Sequence, residues 1–209
     1  MNVTARITLI LVIGASLCAA CQQATTPSAP DPTPILQPTE APALNRNTEE
    51  IAVYSALFEY EFTGDTSQFL IVDQTQLPSA GLVEQQLSDF QERTPLDQEL
   101  LTNFLEINQQ PSALDPDMDL SQEFQLMTQE EIDELAPLDE ESGWKLFDEK
   151  FPKAVGFIYL SRVGFNAELS QALVYFEQYY YDMPVRGSYL LLTRQDGEWV
   201  VESGYEWIT

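Results

Sequence analysis

The chain has 209 residues and no histidine. That absence removes Ser-His-Asp and Cys-His catalysis and every imidazole metal site. Chemistry is left to carboxylates, hydroxyls, aromatics and a few basic side chains. One acidic run is "DPDMDLSQE", where Asp115, Asp117 and Asp119 alternate before Glu123. Hard oxygen ligands at that spacing suit calcium. An EF-hand, however, needs glycine at loop position six and glutamate at twelve, which here are Leu120 and Leu126. An exposed acidic loop is the plainer reading. A pair of carboxylates about 5–10 Å apart could do glycosidase-type acid/base work. With 34 Asp+Glu in the chain, some pair will always meet that condition.

The most distinctive polar-aromatic stretch is "EQYYYDMPVRGSY". On a strand Tyr179 and Tyr181 share one face and Tyr180 takes the other. The expectation is a contact surface of Tyr179, Tyr180, Tyr181 and Arg186 for a sugar, peptide or protein; the competing reading is sheet packing with wetted hydroxyls. Arg162, in "YLSRVGFN", sits among apolar neighbours and is expected to pair with a carboxylate for structure. Trp144, Trp199 and Trp207 read as core or core-edge anchors. No glycine-rich phosphate loop or dinucleotide fingerprint occurs, and no cofactor is expected.

Both cysteines, Cys18 and Cys21, lie in "GASLCAACQQATTPSAPDP". One basic residue, Arg6, then the apolar run "ITLILVIGASL" and small residues, form an export-signal layout over 1–20. As a helix the run spans only about 16 Å, short of a ~30 Å hydrocarbon core. After Cys21, six of the chain's 13 prolines fall between 27 and 42. That composition suits a solvated tether over 21–47. Export, cysteine and tether together resemble a bacterial lipoprotein, which implies acylation of Cys21, although Cys18 stands where a Leu is usual. Ordinary cleavage after Ala20, giving a secreted protein, is the alternative. The expected location is the cell envelope, lipid-anchored and facing the periplasm or exterior.

The remaining domain, 48–209, is long enough for one core. The 34 acids against 9 Lys+Arg disfavour nucleic acid and anionic lipid as partners. "NTEEIAVYSALFEYEFTG" reads as a helix capped by Asn47 or Thr48, with Ile51, Tyr54, Phe58 and Phe62 as its buried stripe. "QFLIVDQT" reads as a strand. "GLVEQQLSDFQER" is a short helix, and "TPLDQELLTNFLEIN" another, capped by Thr94 with Pro95 in its first turn. "EFQLMT" is a strand, "TQEEIDEL" a helix with a Thr128–Glu131 capping box, and "SGWKLFDEKFP" a helix ending before Pro152. From 155 the period is β, broken by turns at "NAEL", "MPVRG" and "DG". The expectation is an α+β domain: a C-terminal antiparallel meander of about four strands, with the earlier helices on one face.

Several ordered pieces, "EEIAVYSALFE", "FLIVDQT", "GWKLFDEKFPKAVGFIYLSRVGFN", "QALVYFEQYYYDMPVRGSYLLLTRQDGEWVV" and "EWIT", resemble a widespread group of uncharacterised bacterial proteins, many exported or lipoprotein-like. Relatives carry a glycine-rich turn, sometimes with cysteines, where this chain has "YYYDMPVRG". The resemblance implies one domain and no mechanism. The sequence therefore favours a tethered, non-enzymatic binding or interaction domain that takes an envelope protein or polysaccharide. The alternative is a carboxylate-dependent hydrolase acting on an extracytoplasmic polymer, which would need a cleft with two convergent carboxylates, one of them desolvated.

Overall fold

The computed structural model describes residues 45–64, 68–120, 122–135, 141–181 and 183–208, without the side chain of residue 141. The expected signal segment, Cys21 and nearly all of the tether lie outside them. Among the described residues, five helices and seven strands alternate early and give way to strands late: α1 (Arg46–Phe62), β1 (Gln68–Val72), α2 (Ala80–Arg93), α3 (Gln98–Ile107), β2 (Phe124–Met127), α4 (Gln129–Leu135), α5 (Glu141–Lys150), β3 (Ala154–Leu160), β4 (Gly164–Phe165), β5 (Gln171–Tyr180), β6 (Arg186–Gln195) and β7 (Glu198–Ile208). The fold class is α+β.

All seven strands form one mixed sheet, ordered β2-β1-β3-β5-β6-β7, with β4 also paired to β5. The first two pairings, β1 with β2 and β1 with β3, are parallel, because helices separate those strands in sequence. The pairings from β3 through β5 and β6 to β7 are antiparallel. The sheet is thus wider than the four strands expected from the β-rich tail. The "DG" turn closes β6 onto β7 with Asp196 and Gly197 both at positive φ, 52° and 95°, the backbone of a two-residue hairpin.

The helices do not share one face, which corrects the sequence-based expectation. Helix α1 lays Val53, Tyr54, Leu57 and Phe58 over Ile71, Ile158, Val174 and Leu190. On the opposite face α2 and α3 bring Leu87, Phe90, Leu100 and Phe104 against Leu173, Tyr175, Tyr189 and Leu191. There α4 and α5 bring Ile132, Trp144 and Phe147 against Leu70, Val72, Phe157 and Tyr159. The physical reason lies in the strands. Residues 172–178 of β5 are buried without alternation, and a strand apolar on both sides needs cover on both. Each fully buried Leu or Phe contributes roughly 1.5–3 kcal/mol.

Helix ends depart locally from expectation. Asn45, not Asn47 or Thr48, caps α1, its Oδ1 accepting from Asn47 N at 3.1 Å. Asp97, not Thr94, caps α3, accepting from Glu99 N at 2.7 Å; an Asx carboxylate nearer the apolar stripe outcompetes the threonine. Thr94 instead closes α2, donating its N–H to Phe90 O. The Thr128–Glu131 capping box is formed as read, with Thr128 N donating to Glu131 Oε2 at 2.9 Å and Glu131 N to Thr128 Oγ1 at 3.2 Å.

Candidate functional site

Two adjacent acids near the start of α1, Glu49 and Glu50, organise one end of the sheet. Glu50 accepts from Arg162 Nε at 2.9 Å and Nη2 at 2.9 Å, and from Val163 N at 3.0 Å. Tyr54 Oη lies 3.0 Å from Glu50 Oε1 and 2.8 Å from Ser161 O, so its single proton serves one at a time. Burial first, and then the Glu50 charge, push the Tyr54 hydroxyl well above 10.0. The hydrogen bonds to Glu50 raise Arg162 further. Arg162 is thus the structural arginine that its sequence context implied. A cavity of about 250 Å³ lined by Asn47, Glu50, Tyr54, Asp115, Met118 and Arg162 opens beside this cluster. Its buried carboxylate, Glu50, is engaged by Arg162, Val163 N and Tyr54.

Glu49 accepts from Trp199 Nε1 at 2.8 Å. Arg194 Nη1 stands 3.0 Å from Glu49 Oε2 without hydrogen-bond alignment, so that contact is electrostatic. These residues border a shallower, acidic recess of about 470 Å³ that includes Glu59, Asp119 and Glu198. Asp115 Oδ1 accepts from Asp117 N at 2.9 Å, and Asp119 O from Ser55 Oγ at 2.9 Å. Asp115, Asp117 and Asp119 are not drawn together. Among the described residues, no group of three or more His, Cys, Asp or Glu is placed to hold a metal ion.

The opposite end of the sheet carries a different chemistry. Glu177 of β5 is 7% exposed. It stands opposite Tyr159 on β3 and Gly187 on β6. Tyr175 Oη donates to it at 3.0 Å and Tyr179 Oη at 2.8 Å. Among the described residues no lysine or arginine forms an ion pair with Glu177. Burial, joined by the Glu177 charge, pushes the hydroxyls of Tyr175, Tyr179 and Tyr189 well up. Tyr189, packed 4.7 Å from Tyr175 between ring centroids, is fully buried with no partner for its Oη. Trp207 faces Gly187 across β6–β7. A Cβ on Gly187 would stand 2.3 Å from Trp207 Cε2 and Nε1. The indole therefore lies across the glycine, with its buried Nε1 unpaired.

The structure divides the expected contact surface. Tyr179 stacks on Phe157 at 4.9 Å with planes 6° apart. Tyr181 shares that side, 5.9 Å from Trp144, and is 51% exposed. Tyr180 points to the other face, against Gly156. Arg186 is a clamp: it reaches Glu61 at 3.1 Å, Glu206, and Gln178 at 3.4 Å, joining the last turn of α1 to β6 and β7. Burial raises the Glu61 carboxyl while Arg186 opposes the rise. Glu177, Tyr175, Tyr189 and Trp207 were not singled out as site residues from sequence. The available signal was a glutamate at the same strand parity as Tyr175 and Tyr179, inside an otherwise apolar run.

No family model, curated protein or solved structure matches the chain. Among the described residues no helix is long and apolar enough to cross a membrane.

Proposed function

We propose that this is a membrane-tethered, non-enzymatic binding domain of the bacterial cell envelope. In this reading Cys21 is acylated and the Pro/Thr/Ala segment is the tether. The ordered motifs ally the chain with the exported, lipoprotein-like group that it resembles.

One observation carries the reading. The described domain begins at Asn45, beside the end of the sheet where Glu49 meets Arg194 and Trp199. Helix α1 then runs about 25 Å to the other end, where Glu61 meets Arg186. Exposed apolar side chains gather at that far end: Tyr60, Val155, Tyr181, Met183 and Ile208. Those side chains form an exposed apolar rim of the kind that a binding partner covers. Antiparallel β3, β5, β6 and β7, the meander of the sequence reading, then act as a rigid platform for that rim.

The hydrolase alternative has less support. Glu49 and Glu50 bind structural donors, and the desolvated Glu61 is bridged by Arg186 to Glu206. The mass of the mature N-terminus tests the tether, and crosslinking from the two ends of the sheet tests the binding surface.

A further inference from the structure

We propose that the cavity between α1 and the β3–β4 corner is a binding site for a neutral, polyhydroxylated ligand, a single saccharide unit. This goes beyond the partner-binding rim, which lies at the opposite end of the sheet, and does not rest on it.

The first argument is position. Strands β1, β2 and β3 run parallel, so their carboxyl ends share one end of the sheet. The cavity is bordered by Arg162, just past the end of β3, and by the segment from Ser112 to Asp115. That segment is tied to the chain leaving β1. Thr75 N donates to Ser112 O at 2.9 Å, Ser112 N to Thr75 Oγ1 at 2.9 Å, and Leu114 N to Asp73 O at 2.8 Å. A crevice outside the carboxyl ends of parallel strands is where such sheets take their ligands. The remaining wall is one stripe of α1, with Asn47, Glu50, Ile51 and Tyr54 at helical spacing.

The polar groups decide the ligand. Arg162 turns Nε and Nη2 onto Glu50, and Asn108 holds its backbone N–H and C=O at 2.8 and 3.1 Å. The side chain is 32% exposed, and Nη1 has no partner among the described residues. Asp115 accepts from Asp117 N through Oδ1 and keeps Oδ2 available. The cavity therefore holds a fixed donor and a free acceptor. An anion would meet the Asp115 charge beside a guanidinium that Glu50 already neutralises. A cation would suit Asp115 but cannot accept from Nη1. Hydroxyl groups both donate and accept, so a ring carrying several of them satisfies both. Ile51 and Met118 supply an apolar patch for the C–H face of such a ring. A volume of about 250 Å³ lies just under the usual range of ligand pockets and limits the occupant to about one ring.

NMR of the full-length protein in nonionic detergent, carrying methyl-13C methionine, reads this site directly. Met118 lines the cavity and Met183 stands on the exposed rim; Met118→Leu and Met183→Leu assign the two signals. The titrants are glucose, galactose, mannose and N-acetylglucosamine. At least one should move the Met118 methyl saturably, with a Kd of about 10 mM or tighter, and leave Met183 in place. Asp115→Asn keeps the bond to Asp117 N but turns the free acceptor into a donor, and should weaken that sugar at least about fivefold. No saturable shift of Met118 with any of the four up to about 50 mM, a range too weak to be specific, would overturn the proposal. So would a shift confined to Met183, unchanged affinity in Asp115→Asn, or tighter binding of the same sugar as its uronic acid or its amine. Each of these removes the saccharide and leaves the rim as a docking surface, which crosslinking tests separately.

Discussion

Arg162 closes a fork onto Glu50 across 112 residues of chain, with Nε 2.9 Å from Oε1 and Nη2 2.9 Å from Oε2. The same carboxylate holds the backbone N–H of Val163, so one side chain fixes the N-terminal part of α1 to the β3–β4 corner. Glu50→Ala strands the Val163 N–H and the Arg162 guanidinium, and leaves the Tyr54 hydroxyl to Ser161 O alone. It should cost about 3–5 kcal/mol, as for one partner of a buried pair. Urea unfolding monitored by circular dichroism measures this, and a loss below about 1 kcal/mol, typical of a surface pair, would refute the anchoring role.

Gly164 makes a close approach that no side chain can share. A Cβ there would lie 2.7 Å from Phe104 Cα and 2.5 Å from Phe104 Cβ. The obstacle is helix backbone, which cannot rotate aside. Gly164→Ala should lower stability by about 1–3 kcal/mol through forced separation of α3 from β4. Thermal melting of the variant beside Gly197→Ala, strained at φ 95° but in open space, separates crowding from backbone strain.

Alkaline pH should unfold the protein cooperatively. Tyr54, Tyr175, Tyr179 and Tyr189 are all raised above 10.0, chiefly by burial. Folded values above unfolded ones mean that the stabilisation is complete below about pH 10 and declines as pH rises beyond it. Tyrosinate absorbance should therefore appear together with loss of far-UV circular dichroism. Tyrosines titrating near 10 in a folded chain would contradict their burial.

The tether makes a covalent prediction. Mass spectrometry of the mature N-terminus should find a diacylglyceryl-modified Cys21, and Cys21→Ser should release the protein from membranes. An unmodified Cys21 at the terminus would leave a secreted protein.

Element types were largely legible in the sequence, because the α1 stripe, the capping box at Thr128 and the "DG" hairpin turn are local signals. Arg162 was legible too, since a guanidinium among apolar residues must find an acid. The two-faced cover of the sheet was not read, although the unbroken apolar run in "ALVYFEQ" implied it. Of the residues expected to form a contact surface, Tyr181 is exposed, and Arg186 bridges Glu61 and Glu206. Its partners Glu61 and Glu206 lie far away in sequence, and only cross-strand register brings them in. The same holds for Glu177, which register places between Tyr159 on β3 and Gly187 on β6.

The central claim is that binding occurs at the end of the sheet remote from Asn45. A photo-crosslinking phenylalanine derivative at Tyr181 and, separately, at Glu198 in cells with intact envelopes tests it directly. The account predicts a discrete, reproducible adduct from position 181 and none from position 198. Adducts from 198 alone, or the same adducts from both positions, would contradict it.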